Sequence, residues 1–332
     1  MVRNVHIRAW KGLAAAMVAM LALTGCGGAA QQAQTTEQQQ AQQQPQQQSQ
    51  ESSTSKTRVV KDSYGDVEIP AHPQRVAAIY QEDFLKALGV SPIVQWYHPA
   101  WGKQDYLNLD VPLFDITGSM EVLLQANPDM IIVDGGADAE KYEQYSKVAP
   151  TYKLPDELRN DTMGRLKNIA DLLGIPEKAA AVEKEYEEKM ADAKAKLEKA
   201  IGGQSVAVVR LNVGEKPTLA LFGEGNAYTG ILYKELGLKA PEEVKNQDTH
   251  VVLSEEAIPT LRADHIILFP SNGGWTTEEN KKAIEMLNTP LWQSVAAVKN
   301  SHVYNVDRTH WQSGSVIANM MKADDLVNMF VK

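Results

Sequence analysis

A single long helical run in the middle of the chain constrains the architecture most. From Pro176 onward, Val182, Tyr186, Met190, Ala193 and Leu197 follow one another at spacings of 4, 4, 3 and 4, which lays one narrow apolar stripe along a charged helix. Glu185 and Asp192 stand four residues ahead of Lys189 and Lys196, pairs that support the helix modestly, and Gly202-Gly203 ends it. About 25 residues at ~1.5 Å each make a rod of roughly 37 Å. Periodicity alone leaves open whether this rod joins two bodies or lies as an ordinary helix on one surface. What flanks it favours the first.

Short β-rich runs stand on both sides of the rod. Val76 to Tyr80, Ile93 to Trp96 and Met130 to Val133 precede it, while Val206 to Arg210, His265 to Phe269 and Val303 to Val306 follow it. Helical patterns alternate with them (Phe84 to Leu88, Ile284 to Leu287), the signature of an α/β fold. The turn Gly214-Glu215-Lys216-Pro217 predicts a hairpin closing on Thr218 to Phe222. Residues 58–332 are too many for the usual ~100 to 150 of one domain. We therefore expect a lobe over 58–175, the rod over 176–201 and a second lobe over 202–332. An internal repeat agrees: Ser119-Met120-Glu121, Asn127-Pro128-Asp129 and Ile131-Ile132 match Ser254-Glu255-Glu256, Arg262-Ala263-Asp264 and Ile266-Ile267 at an offset of 135. Each copy reads as a Ser-capped helix, a turn and a buried strand.

Ahead of the lobes the chain changes character. Arg3, Arg8 and Lys11 precede an apolar run from Leu13 to Leu23 that is too short to span a bilayer, so residues 1–25 read as a secretion signal. The run closes on Leu23-Thr24-Gly25-Cys26, which resembles the lipobox of bacterial lipoproteins and implies a lipid on Cys26, the only cysteine. Of the residues from Gln31 to Gln50, 13 are Gln, and none offers an apolar face to bury, so 26–57 reads as a lipidated, disordered tether. Its reach is roughly 30 Å. The expected location is extracytoplasmic, anchored to the cell membrane through lipid. Loss of the signal removes three positive and no negative side chains and moves the net charge from −9 to −12. That balance, without a basic stripe, argues against a nucleic-acid partner.

Over nearly all of residues 57–332 the chain resembles the iron-siderophore binding proteins of ABC importers, the helical-backbone group that includes ferrichrome and cobalamin binders. The likeness rests on Arg58-Val59-Val60-Lys61-Asp62-Ser63-Tyr64-Gly65, Pro73-Gln74-Arg75-Val76, Ala87-Leu88-Gly89-Val90, Asn127-Pro128-Asp129, Ala170-Asp171-Leu172-Leu173-Gly174, Thr289-Pro290-Leu291-Trp292-Gln293 and Ala297-Val298-Lys299-Asn300, in this order and spacing. It implies two Rossmann-like lobes joined by one backbone helix. It also implies a monomer that captures a ferric siderophore, performs no chemistry on it and delivers it to a permease dimer. The iron arrives inside the chelate, so no cofactor and no protein metal site are expected. In the family, one glutamate on each lobe meets arginines of the permease; Glu121 and Glu256 match that position. The arginine and tyrosine that ferrichrome binders carry near the first Ser-x-Glu unit are here Asp115 and Ala137.

Ligands of open α/β sheets sit at the carboxyl ends of the strands. Tyr80, Trp96, Tyr97, Trp101, Arg210, Trp275, His310 and Trp311 all follow predicted strands and are the candidate ligand-binding residues, with flat aromatic faces and a few donors suited to a bulky chelate. Lys103 is a weaker candidate, and Trp292 is assigned to packing. Because few cations fall in these loops, a hydroxamate or mixed siderophore is expected over a tri-anionic tricatecholate. Two alternatives stay open. Haem could take His98, His250, His310 or a methionine as axial ligand, whereas a bare metal ion would need three or four His, Asp or Glu side chains, and the histidines are widely spaced. For an enzyme there is no GxSxG elbow, P-loop or GxGxxG; His310, Asp307 and Ser313 form a triad only on paper.

Overall fold

The computed structural model describes residues 56–332. The signal segment, Cys26 and nearly all of the tether lie outside the described residues. Strand β1 already begins at Thr57, inside the range read as tether.

Strands β1 (Thr57–Asp62) and β2 (Gly65–Pro70) form an antiparallel hairpin. The first lobe then builds a parallel sheet in the order β3-β6-β7 from β3 (Val76–Ile79), β6 (Met130–Val133) and β7 (Thr151–Lys153). Every residue of the three strands is buried, as expected of parallel strands covered on both faces. β4 (Gln95–Tyr97) and β5 (Leu113–Asp115) pair separately beside it. Helices α1 (Glu82–Ala87), α2 (Glu121–Ala126), α3 (Ala139–Ser146) and α4 (Thr162–Leu172) complete this half.

The rod is α5, Pro176–Ile201, with Pro176 in its first turn. Tyr186, Met190, Ala193 and Leu197 of the apolar stripe are buried, together with Ala179 and Ile201, while Val182 is half-exposed. Beyond it, β8 (Val206–Asn212), β9 (Thr218–Phe222), β10 (His250–Leu253), β11 (His265–Pro270) and β12 (Val303–Asn305) form one mixed sheet in the order β10-β9-β8-β11-β12. β8, β11 and β12 run parallel; β9 returns from β8 through the hairpin at Gly214, pairing Asn212 with Thr218.

Two expectations change. The repeat unit of the second lobe is a 3₁₀ helix, Glu255–Thr260, and not an α-helix like its counterpart α2. Pro259 sits inside it and has no N–H to donate one turn back. Ser254 makes no side-chain cap to the backbone there. The C-terminal helix, Val316–Phe330, leaves the second lobe's sheet and packs on α5, α1 and α4. A single buried apolar cluster accordingly runs from Ile69 to Phe330 through both lobes.

Candidate functional site

The parallel registers bring the site together. β3 pairs Ile79 with Val133 of β6, so the next residues, Tyr80 and Asp134, leave adjacent strands at the same carboxyl edge. In the second lobe β8 and β11 deliver Arg210, Asn212 and Ser271 to one edge, and the chain after β12 delivers Arg308. The two edges face each other across a chamber of about 750 Å³, walled by Tyr80, Trp96, Trp101, Tyr145, Tyr228 and Arg308 among others. A side arm of about 480 Å³ continues past Tyr80, Asp134, Arg210 and Tyr228 to Arg159, Arg165, Asp248 and His250.

Tyr80 is the strained point of the wall. Its φ of 61° lies in the left-handed region, unusual for a bulky side chain, and its ring packs 4.8 Å from that of Trp96 while its hydroxyl donates to the Gln312 carbonyl at 2.7 Å. Trp96 is fixed from behind by Glu82, a fully buried carboxyl on α1 whose Oε1 accepts the Trp96 backbone N–H at 2.6 Å. Burial pushes that carboxyl up to about 8, so it holds its proton at neutral pH. Trp101 is 43% exposed at the rim, stacked 3.8 Å from the His98 ring.

The cations carry the electrostatics. Arg210 donates Nε to Asn212 Oδ1 at 2.8 Å and lies over the Phe222 ring. Arg308, 6% exposed, donates Nη1 to the Trp101 carbonyl at 3.0 Å, while its buried Nε has no acceptor. Arg165 donates Nη2 to the Gly314 carbonyl at 2.6 Å. Burial lowers the pKa of all three guanidinium groups. Two carboxylates, Asp134 and Asp248, oppose five cations: Arg159, Arg165, Arg210, Arg308 and Lys141. The expectation of few cations thus fails. Arg159 and Arg165 come from the segment around the start of α4 and Arg308 from beyond β12, places that strand-end reading passed over.

Of the eight sequence candidates, Tyr80, Trp96, Trp101 and Arg210 line the chamber. The other four do not. Tyr97 follows Trp96 on β4, and successive strand residues point to opposite faces, so only one of them can look inward. Trp275 packs on the second lobe's core with its indole N–H on the Val306 carbonyl at 3.0 Å. Trp311 is fully buried, and both its Nε1 and the Nε2 of His310 bond to Asp325 Oδ2 of the C-terminal helix, at 2.8 and 2.6 Å. The short helix Arg308–Trp311 spreads these side chains around one turn, which sends Arg308 into the cleft and its neighbours into the core. Lys103 pairs with Asp105 at 3.6 Å, away from the chamber. The paper triad does not assemble either, since His310 bonds to Asp325 and Ser313 Oγ donates to Ser315. Glu121 and Glu256 are both exposed, one on each repeat unit.

Among the described residues, no helix is long and apolar enough to cross a membrane, and no three His, Cys, Asp or Glu side chains converge as metal ligands. The sequence profile of the periplasmic binding protein family matches residues 83–309. The probable siderophore-binding lipoprotein YfiY of Bacillus subtilis is 29% identical over 300 residues, covering 84% of this chain and 89% of its own. The iron(3+)-hydroxamate-binding protein FhuD of Bacillus subtilis is 30% identical over 269 residues, covering 76% and 80%. Among solved structures, a FhuD fold-family component of a ferrichrome ABC transporter from Bacillus subtilis superposes with a TM-score of 0.68 at 25% identity, over 82% of this chain and 100% of that one.

Proposed function

Because the chain belongs to the periplasmic binding protein family, we propose that it captures a ferric siderophore in the cleft between its lobes and hands it to the permease of an ABC importer. It is a binding component and not an enzyme. One observation carries the reading: aromatic faces and guanidinium groups that, among the described residues, find no carboxylate within 4.0 Å share one chamber of chelate size. The flat faces of Trp96, Trp101 and Tyr80 suit the apolar periphery of a chelate, and Arg210 and Arg308 suit the oxygens around its iron. The iron is cargo, already held by the siderophore, so the protein supplies no metal ligand of its own. The relatives named for siderophores and for iron(3+)-hydroxamate support the same substrate class.

Delivery completes the proposal. Glu121 and Glu256 present one carboxylate per lobe to a basic, roughly two-fold permease surface, and acidic surfaces speed such encounters. Lipid on Cys26 holds a monomeric protein at the outer face of the membrane, with the glutamine-rich tether as spacer. Titration of the purified protein with ferric hydroxamates, catecholates and citrate, followed by tryptophan emission, tests capture. A visible charge-transfer band should co-elute with protein on gel filtration. Retention of none of these chelates, or a Soret band in freshly purified protein, would replace the reading with haem or another ligand.

A further inference from the structure

The cleft's charge runs against the charge of the molecule. The chain is acidic overall, at −9, yet the chamber and its side arm gather five cations against two carboxylates. Arg210 and Arg308 line the same chamber, and the charge of Arg308 is disfavoured by burial first and by Arg210 as well. Among the described residues neither forms an ion pair. Arg308 spends one nitrogen on the Trp101 carbonyl and Arg210 one on Asn212, and among the described residues no acceptor meets the remaining Nη atoms. Asp134 lies in the same wall, but its Oδ1 is occupied by the Gly136 N–H at 2.9 Å, and it makes no ion pair with either arginine. Two like charges sharing one chamber, Arg308 buried and Arg210 half-buried, are unfavourable until an anion lies between them.

Resting on the capture reading above, we infer that the preferred chelate carries net negative charge, with at least one chelating arm a catecholate or an α-hydroxycarboxylate, and that Arg210 and Arg308 are the residues that read this charge. Three hydroxamates cancel the charge of ferric iron and leave a neutral complex. Replacing one of them with a doubly charged arm leaves an excess of negative oxygen for the guanidinium pair, and Arg159, Arg165 and Lys141 extend the positive field around it.

The test compares neutral ferrichrome with ferric enterobactin, a trianionic tris-catecholate, and ferric aerobactin, in which a citrate arm joins two hydroxamates. Affinities are read from tryptophan quenching at low and high salt. The anionic chelates should bind at least roughly tenfold tighter than ferrichrome, and the gap should narrow as salt screens the pair. Arg210→Gln and Arg308→Gln should each weaken anionic chelates by about tenfold or more and ferrichrome by a clearly smaller factor, and Arg308→Lys should keep the preference. Should loss of the Trp101 contact unfold Arg308→Gln, Arg210→Gln decides alone. Tightest binding of ferrichrome, or equal losses for neutral and anionic chelates, overturns the inference and leaves capture standing. Failure of every ferric chelate to bind sinks capture, and the inference with it.

Discussion

Lys322 should be among the most consequential side chains outside the cleft. It lies fully buried on the C-terminal helix and donates to the Tyr228 carbonyl, the Ser313 carbonyl and Asn319 Oδ1. The segment it anchors is the seam between the lobes. Tyr80 OH donates to the Gln312 carbonyl at 2.7 Å, Tyr106 OH reaches Ser313 Oγ at 3.3 Å, and Thr162 Oγ1 donates to the Gly314 carbonyl at 2.9 Å. Asp83 of α1 accepts the Ile317 and Ala318 N–H groups at 2.9 and 3.1 Å. Lys322→Met fills similar volume but orphans these acceptors, three when the amine is charged and two when it is neutral, each costing ~1 to 3 kcal/mol, offset in part because a buried amine no longer needs desolvating. A net loss of about 2 to 4 kcal/mol is expected, a large part of the ~5 to 15 typical of a folded domain. Burial pushes the Lys322 amine down to about 7, against an ordinary lysine value of 10.5. Between those values the unfolded chain holds a proton that the folded one has released, so this group's contribution to stability grows as pH rises through that window and is lost as pH falls through 7. The deficit of Lys322→Met should therefore be larger at pH 9 than at pH 6. Urea unfolding followed by tryptophan emission measures both, and the reasoning fails if the loss is under ~1 kcal/mol or shrinks with rising pH.

Glu82→Gln mimics the protonated carboxyl beneath Trp96; because the folded pKa is raised to about 8, its contribution is present below the unfolded value of 4.5 and lost as pH rises through 8. Wild type should thus lose stability relative to Glu82→Gln between pH 5 and 8, and parallel urea midpoints across that range would contradict the assignment. Trp101→Ala should weaken ferric-chelate binding roughly ten- to a hundredfold with little change in melting, whereas Trp311→Ala, emptying a fully buried site, should cost about 3 to 5 kcal/mol of stability; a reversed pattern refutes the placement of the two rings. Glu121→Arg with Glu256→Arg should leave chelate titration and melting intact but abolish permease-stimulated ATP hydrolysis, and normal uptake by the double variant would leave these residues only their roles at their own helix starts. Cys26→Ser should release folded, binding-competent protein from membranes, and retention after a salt wash would show another anchor.

Much of the framework was legible because it is written in local periodicity. The stripe on α5, the buried runs of β6 and β11 and the turn at Gly214 each depend on residues a few positions apart, and each formed near its expected bounds. Local chemistry also marked the exception: Pro259 was visible within the second repeat unit, and its missing N–H is what turns an expected α-helix into 3₁₀. The alternation rule could likewise have separated Trp96 from Tyr97. Membership of the cleft is a different kind of fact. Tyr80, Asp134, Arg165, Arg210 and Arg308 are distant in sequence and meet only because two sheets turn their carboxyl edges toward each other. Trp311 and Arg308 share one short helix, and which of them enters the core was decided by Asp325, fourteen residues beyond Trp311 on a helix that returns to the first lobe. Composition and spacing thus set what kinds of element form and in what order. Which side chains face one another, and which charges are left without a partner, followed from packing at long range, to which no local pattern is sensitive.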